Sequence, residues 1–207
     1  MNTKTHFTSA EVKNKIKQFE QNTGYELVVA ACHASDPYPG ALWRGSVLLG
    51  LLTSGLVLHY YNFHPRSLEI LIVGACILLM VIVLRLLDWH RFFVLPSETE
   101  RETSEKAHAL FSQFQATSLG HQAAILLFIS LNEHKMHLLI DRDLKEKISQ
   151  EDLHEILALL RTQFKKGDFQ KGLEEAIGVL EEKVLAKAGE NPHPPALSVE
   201  DRVFWLD

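Results

Sequence analysis

Two apolar runs decide how this chain folds: Gly45–Tyr61 is GSVLLGLLTSGLVLHYY, and Ile70–Leu84 is ILIVGACILLMVIVL. Neither run contains a formally charged residue. Extended to Trp43 and to Leu87, each reaches the roughly 20 residues that a helix needs to cross a hydrocarbon core of about 30 Å. Helices in the core of a soluble domain usually keep a polar stripe, and these runs show none. The two runs therefore predict a transmembrane helical hairpin.

The segments around the two runs predict the orientation of the hairpin. The polar connection Asn62–Ser67 contains a proline and suits a tight link between antiparallel helices. On the side of the termini, four arginines lie near the membrane: Arg44, Arg85, Arg91 and Arg101. The connection offers only Arg66. Because positive charge favours the cytoplasmic side, we expect a two-pass protein with both termini and the soluble domain in the cytoplasm.

Length and charge narrow the classes of function. The hairpin takes a little under a quarter of the 207 residues, and the remainder suffices for one small soluble domain. A net charge of −5 with scattered basic residues argues against a nucleic-acid binder. Cys32 and Cys76 form no disulfide framework, because Cys76 lies in mid-membrane. Met1–Gln21 has no apolar core of a signal peptide, so the first membrane helix is expected to act as the insertion signal.

The apolar periodicity of the soluble segments predicts an α/β fold. Three strands are expected, at Tyr25–Cys32, Ala123–Leu131 and Lys135–Asp141. The first two should be parallel and the third should return antiparallel to the second. The predicted order is helix, strand, membrane hairpin, helix, strand, strand, helix, helix. We thus expect a small mixed sheet of three or so strands, packed with α-helices and interrupted by the two-helix transmembrane hairpin.

Helix-capping signals set the expected boundaries of the helices. Thr8-Ser9-Ala10-Glu11 has the spacing of a capping box before the first helix. Ser97–Thr117 is expected to form the helix after the hairpin, and Ser149 to cap the next one. In Lys166-Gly167-Asp168, the glycine suits a left-handed helix end and the aspartate suits the cap of the last helix.

These elements divide the chain into four segments. Residues 1–40 hold the first helix and strand, and residues 41–95 hold the hairpin with a juxtamembrane segment in which Leu86–Leu95 should continue amphipathically. Residues 96–187 complete the soluble domain. The proline-rich tail 188–207 is not expected to fold alone, although Val203–Leu206 could dock on the domain.

Four stretches of the soluble part share a pattern with a known family. They are Phe19–Val29 (FEQNTGYELVV), Ala124–Leu131 (AILLFISL), Met136–Asp141 with Leu144, and Phe164–Leu173 (FKKGDFQKGL). On these residues the chain resembles the TPM domain, the fold shared by thylakoid-lumen phosphatase-like and photosystem-repair proteins and by many bacterial membrane proteins. The joint F-x-x-G-D-[FY]-x-x-G-L is the most specific of the motifs. The resemblance covers about Ser9 to Leu185.

The resemblance implies a location and a set of structural residues. A membrane hairpin after the first strand is similar to a bacterial inner-membrane subfamily, so the expected location is a bacterial-type inner membrane. Gly24 ends the first helix of the motif, and Gly167, Asp168 and Gly172 form its joint. We interpret these four residues as structural.

Carboxylates near the end of the third strand are the best candidates for a metal site. Asp141 and Asp143 flank Arg142, and in an extended chain both would face one way. Glu26 and Glu20 are further candidates from elsewhere in the fold. Because some family members are described as acid phosphatases or calcium binders, the resemblance implies Ca²⁺ or Mg²⁺ as the ion. This chain has Asp-Arg-Asp where many members have a glycine-rich turn, so no catalytic residue is assigned.

The sequence favours an interaction module over an enzyme. A complete domain and a firm anchor predict a membrane-anchored interaction or assembly module, with the lipid bilayer and a membrane protein as partners. The alternative is a divalent-metal-dependent phosphatase that uses Asp141, Asp143 and Glu26. Small residues in the runs permit close packing within the hairpin or between two copies as a homo-oligomer: Gly50, Ser54, Gly55, Gly74 and Ala75.

Overall fold

A computed structural model describes residues 9–61, 66–117, 124–189 and 203–206. The helices in chain order are α1 (Ala10–Thr23), α2 (Pro39–Tyr60), α3 (Arg66–Leu86), α4 (Pro96–Thr117), α5 (Arg142–Lys145), α6 (Gln150–Lys165) and α7 (Phe169–Lys187). The strands are β1 (Glu26–Cys32), β2 (Ala124–Ser130), β3 (Lys135–Ile140) and β4 (Val203–Leu206). Two compact units result: residues 36–101 form one, and residues 1–35 with 102–207 form the other.

The larger unit is built on one mixed sheet with the strand order β3-β2-β1-β4. β1 and β2 are parallel, and β3 is antiparallel to β2, which confirms the predicted pairings. The fourth strand comes from the C-terminal tail and runs parallel to β1. The predicted α/β class is therefore confirmed, with one strand added at the edge.

Both faces of the sheet are covered. Every residue of β1 and β2 is buried. Alternate residues such as Leu27 and Ile125 join a core cluster with the buried faces of α1, α6 and α7. The residues between them, such as Val28 and Leu126, join a second cluster that includes Ala107 of α4. Since side chains alternate along a strand, continuous apolar runs are what two covered faces require.

The first helix begins one residue later than the predicted capping box implies. The Ser9 hydroxyl accepts a hydrogen bond from the Val12 N–H at 3.3 Å, so Ser9 is the cap. Thr8 lies outside the described residues. In α6 the predicted cap is confirmed: Ser149 accepts from the Asp152 N–H, and the Asp152 carboxylate accepts from the Ser149 N–H.

The joint between α6 and α7 depends on backbone geometry. Gly167 has φ +84°, a left-handed conformation that favours glycine, and Gly24 has φ +72° at the end of α1. Asp168 is the N-cap residue of α7, as predicted, but its side chain makes no capping hydrogen bond there. Its carbonyl instead accepts from the Gly172 N–H at 2.9 Å. With ψ 65°, Asp168 departs from the extended backbone typical of a capping residue.

Gly172 lets α6 and α7 approach closely. A Cβ at this position would lie 2.9 Å from Cβ of Gln163 and 3.2 Å from a ring carbon of Phe164. On the same helix, a Cβ at Gly178 would meet only Cε of Lys15, at 3.9 Å. The two glycines of α7 therefore have opposite local environments.

Gly172→Ala is expected to lower the free energy of unfolding of the domain by about 1–3 kcal/mol, because the helices must separate. Gly178→Ala should instead stabilise by roughly 0.5–1 kcal/mol, because alanine favours the helix and meets no close neighbour. Chemical denaturation followed by circular dichroism compares the two. Equal effects of the two substitutions would contradict this account of the joint.

The smaller unit is a helical hairpin. α2 and α3 are each long and apolar enough to cross a membrane. α3 begins at Arg66, so Arg66 and Ser67 belong to the helix and not to the predicted connection. Leu86–Leu95 does not continue as one amphipathic helix: Asp88 has φ +53°, and a 3-10 turn, Trp89–Phe93, follows. The left-handed backbone at Asp88 interrupts helical hydrogen bonding.

Small residues of α2 bring the two helices of the hairpin together. Ala41, Gly45, Ser46, Gly50 and Ser54 are its buried residues. A Cβ at Gly50 would lie 2.7 Å from Cα of Ile77, whereas Gly55 and Gly74 have open space around them. The Ser54 hydroxyl donates to the Leu51 carbonyl at 3.0 Å, so its polar atom is satisfied within its own helix. Gly50 and Ser54 therefore pack within the hairpin.

An arginine–carboxylate pair lies at the base of this unit. The Arg44 guanidinium donates to both oxygens of Glu98, at 2.7 and 2.6 Å, and to the Phe93 carbonyl at 3.1 Å. A two-point contact of this kind fixes geometry as well as charge. The hydrogen bond from Arg44 lowers the pKa of Glu98. Arg44 thus fixes the start of α4 relative to α2.

Candidate functional site

The predicted carboxylates lie at the end of the sheet where β1 and β2 begin. Glu26 is the first residue of β1 and is paired in register with Ala124. The Asp141 N–H donates to the carbonyl of the same Ala124 at 3.1 Å. Glu26 and Asp141 therefore flank the first residue of β2 on either side. Since neighbouring strands are about 4.8 Å apart, their Cα atoms are separated by about 10 Å.

Asp141 serves as a helix cap in this position. Its side chain accepts from the Arg142 N–H at 2.7 Å and from the Gln115 amide at 3.0 Å. The residues after it form the single helical turn α5, so the chain is not extended as the predicted pair with Asp143 requires. Residues two apart do not share a face of a helix. The Asp143 side chain lies outside the described part of the structure.

Glu26 and Glu20, the other carboxylates at this end of the sheet, are buried in the fold. Glu26 is buried, with 8% of its surface exposed. Glu20 is also buried, and its carboxylate accepts from the Leu27 N–H at 3.1 Å. Among the described residues, no group of three or more His, Cys, Asp or Glu side chains converges as a metal site would require. The described side chains at this end of the sheet hold α1, α4 and α5 to it.

A polar cluster that the sequence analysis did not predict lies at the opposite end of the sheet, where β1 and β2 finish. Ser130, at the end of β2, accepts from the Ser35 hydroxyl at 3.0 Å and donates to the Glu133 carboxylate. The Ser35 N–H donates to the other oxygen of Glu133 at 3.0 Å. Lys106 of α4 donates to the carbonyls of Ala34 and Ser35, both at 3.2 Å.

These hydrogen bonds close the turn after β1 onto the β2–β3 turn. Ser130 is 1% exposed, and a buried hydroxyl needs a partner, which Glu133 supplies. The lysine fixes the carbonyls that follow β1. The cluster therefore fixes the position of the chain at the end of β1. Its members lie up to 98 residues apart in sequence, so no local spacing could have revealed it.

Two histidines near the turn also have structural roles. The His137 ring nitrogen Nε2 lies 2.9 Å from the Thr103 hydroxyl, which is fully buried, and the ring stacks on Phe128. His134 occupies the β2–β3 turn with φ +53°. His137 therefore packs on the sheet, whereas His134 belongs to the turn.

Comparison with known proteins agrees with this fold. Residues 89–183 match the model of the TPM domain. The chain is similar in fold to the NMR structure of the BA42 protein from the psychrophilic bacterium Bizionia argentinensis, with a TM-score of 0.53 and 11% identity over 94% of this chain and 90% of that one. At this identity the likeness shows the fold alone. No curated protein sequence matches the chain. The match covers β2, β3 and the joint between α6 and α7, so a TPM domain is found in this part of the chain, residues 89–183.

Proposed function

We propose that this protein is a membrane-anchored TPM domain that acts as an interaction and assembly module of a bacterial-type inner membrane. The observation that carries the proposal is the apolar surface of α2 and α3. Large aliphatic side chains point outward along both helices, among them Leu52, Leu56, Ile70, Leu71 and Leu78, which are 59–74% exposed. Exposing such a side chain to water costs about 1.5–3 kcal/mol, a cost that lipid removes.

The alternative of two soluble core helices fits this surface poorly. Core helices bury most of their residues, whereas only 6% of the most apolar window of α3 is buried. Trp43, Trp89 and Phe92 are exposed near the ends of the hairpin, where membrane interfaces favour aromatic rings. These observations support a hairpin with lipid as its solvent and a domain held beside the membrane.

The proposed orientation has the termini and the domain in the cytoplasm, on the balance of arginines around the hairpin. A cysteine introduced by His64→Cys should react with a membrane-impermeant maleimide on intact spheroplasts. A matched cysteine from Glu182→Cys, on α7, should react only after lysis. The reverse pattern would place the domain outside.

An assembly role is supported by the use that the fold makes of its carboxylates. Asp141 caps α5 and binds Gln115, and Glu20 holds the start of β1. In these positions the two carboxylates hold α1, α4 and α5 to the sheet. The partner proposed is a membrane protein that meets the domain at the bilayer surface.

A metal-dependent phosphatase is the second candidate, and one observation favours it. Glu26 and Asp141 flank Ala124 at the end of the sheet where β1 and β2 begin, and Asp143 follows Asp141 two residues later. Ca²⁺ or Mg²⁺ takes carboxylate oxygens as ligands. A divalent ion held there would polarise a phosphoryl oxygen towards attack by water.

Calorimetric titration of Ca²⁺, Mg²⁺ and Mn²⁺ into the full chain in nanodiscs separates the two candidates. The matched control is Asp141→Asn with Asp143→Asn, because asparagine keeps a helix cap while removing the charge. The module predicts no ion binding that the control loses, and no release of phosphate from p-nitrophenyl phosphate. Binding and turnover that both disappear in the control would establish the phosphatase and overturn the module.

A further inference from the structure

The outer edge of β1 and the side chains on either side of it form a groove that a strand of the chain's own tail, β4, occupies. β1 pairs with β2 on one side, and on the other side its last four residues pair in parallel with β4. Val29 lies opposite Val203, and Cys32 lies opposite Leu206. Without β4, this edge of β1 would present unpaired backbone groups, which bind other strands readily.

The occupant of the groove must bring apolar side chains to both faces of the sheet. Val203 is buried in the core cluster of α1, α6 and α7, and Trp205 packs against the same cluster. Phe204 and Leu206 pack against the cluster that includes α4. The ring centroid of Phe204 is 5.2 Å from that of Phe114, and the Trp205 ring meets His33 edge-on at 4.9 Å. The groove therefore selects a strand whose apolar side chains point alternately to the two faces of the sheet, as those of V-F-W-L do.

We propose that this groove also accepts the Val203–Leu206 strand of a second copy of the chain, so that two copies exchange their C-terminal strands. The sequence that fits the groove is the chain's own. Every contact of β4 with β1, Phe114 and His33 is available in each copy, so exchange preserves the contacts and leaves the sheet unchanged. The partner is thus a second TPM domain of the same protein.

The length of the tail makes the exchange geometrically accessible. The 15 residues 188–202 separate the end of α7 from β4. Such a segment spans at most about 50 Å, which exceeds the diameter of roughly 30–40 Å expected for a domain of this size. Because the contacts are the same, occupancy depends on the effective concentration of the chain's own strand against that of its neighbours. Confinement to one membrane raises the effective concentration of strands from neighbouring copies. In this respect the inference rests on the proposed anchoring.

A disulfide test in native membranes can separate the two arrangements, with Cys76→Ser in every chain. One copy keeps Cys32, and a second, differently tagged copy carries Cys32→Ser and Leu206→Cys. Adjacent strands place paired Cα atoms about 4.8 Å apart, within the range that a disulfide bridges. Cys32 and Leu206 also belong to the same face of the sheet. Exchange places these two thiols next to each other in different copies, whereas random collision would bridge them without regard to the face on which the thiol lies.

Two controls accompany the test. A chain with both Cys32 and Leu206→Cys reports pairing within one copy. Replacing Leu206→Cys by Trp205→Cys moves the thiol to the opposite face, beside the other cluster.

The expected result is a covalent dimer of the two tagged copies on non-reducing gels, at least about tenfold more abundant than with Trp205→Cys, because only adjacent residues on one face can be bridged. A disulfide within one copy, with no dimer between copies, overturns the exchange. Absence of both disulfides overturns the pairing of β4 with β1. Equal dimer yields from Leu206→Cys and Trp205→Cys indicate random collision and also overturn the exchange. The fraction in which the dimer is found separates this outcome from a failure of anchoring, which would leave the chain in the soluble fraction.

Discussion

Gly50→Leu is expected to separate the two helices of the hairpin and to lower its stability by about 2–3 kcal/mol. A Cβ at Gly50 would lie 2.7 Å from both Cα and Cγ1 of Ile77 and 3.0 Å from its backbone nitrogen. Two of these three atoms belong to the backbone, so no change of rotamer can relieve the contact. Without a hydrophobic driving force between helices in lipid, close packing of this kind is the main source of their association.

The measurement is the midpoint of unfolding by dodecyl sulfate in mixed micelles. Gly55→Leu and Gly74→Leu are the matched controls, because a Cβ at either position has open space around it. Both controls should unfold near the wild-type midpoint. If all three variants behaved alike, the described packing of α2 on α3 would be wrong.

Asp152→Asn is expected to be the most damaging single substitution on the polar surface of the domain, lowering the Tm by roughly 5–10 °C at pH 7. The Asp152 carboxylate is 8% exposed and lies between Ser149, Lys183 and Lys187. It thus joins the first turn of α6 to the last two turns of α7. Asparagine keeps the shape but leaves two lysines without their common anion.

The same residue predicts how the domain responds to acid. Hydrogen bonds from Lys187, Ser149 and Lys183 hold the pKa of Asp152 well below its usual value of 3.8. A lowered pKa means that the contribution to stability is complete above about pH 5 and is lost as the pH falls below 3.8 towards the pKa of the folded state. The wild-type Tm should therefore fall more steeply than that of Asp152→Asn between pH 5 and pH 2.

The alkaline side has the opposite sign. Hydrogen bonds to Glu155 and Asp152 raise the pKa of Lys183 above 10.5, so its contribution is complete below that pH and is lost as the pH rises through the raised value. Glu155→Gln is the matched control for the acid limb, because the Glu155 side chain is 68% exposed and an exposed pair contributes little. Parallel acid limbs for wild type and Asp152→Asn would refute this role of Asp152.

The features that the sequence predicted are those that local patterns determine. Continuous apolar runs predicted the two strands that are buried on both faces. Alternation of Met136, Leu138 and Ile140 predicted the one-sided edge strand β3. Ser149 predicted the start of α6 because a capping serine lies directly before the first turn of its helix.

The features that the sequence did not predict depend on contacts between distant residues. In the sequence, Arg44 counted only as a positive charge near the membrane, yet it binds Glu98, 54 residues away. Ser35, Ser130 and Glu133 meet only after β1 and β2 pair. Val203–Leu206 is a short continuous apolar run, but only its pairing with β1 determines where it lies.

The candidate metal site shows how local competition decides a turn. Asp141 follows a strand, which favoured an extended reading of Asp-Arg-Asp. An aspartate is also one of the strongest helix caps, and here its carboxylate accepts from the Arg142 N–H and starts α5. The sequence therefore placed Asp141 correctly at the end of the third strand, but it did not predict the helical turn that follows.

The most direct test of the anchored-module account compares two exposed leucines on two helices. Leu78 of α3 is 63% exposed and Leu185 of α7 is 37% exposed. If α3 faces lipid, Leu78→Lys near its centre should oppose insertion by about 2.5–3.5 kcal/mol, whereas Leu185→Lys on a water-facing helix should change nothing. The measurement is the fraction of full-length chain that stays with the membrane after alkaline extraction.

The account predicts that wild type and Leu185→Lys remain in the membrane pellet and that Leu78→Lys shows a reduced fraction there. Exposed leucines on a soluble protein tolerate lysine at both positions. A wild-type chain that is extracted, or a Leu78→Lys variant that behaves as Leu185→Lys does, would contradict the membrane anchor on which the proposed function depends.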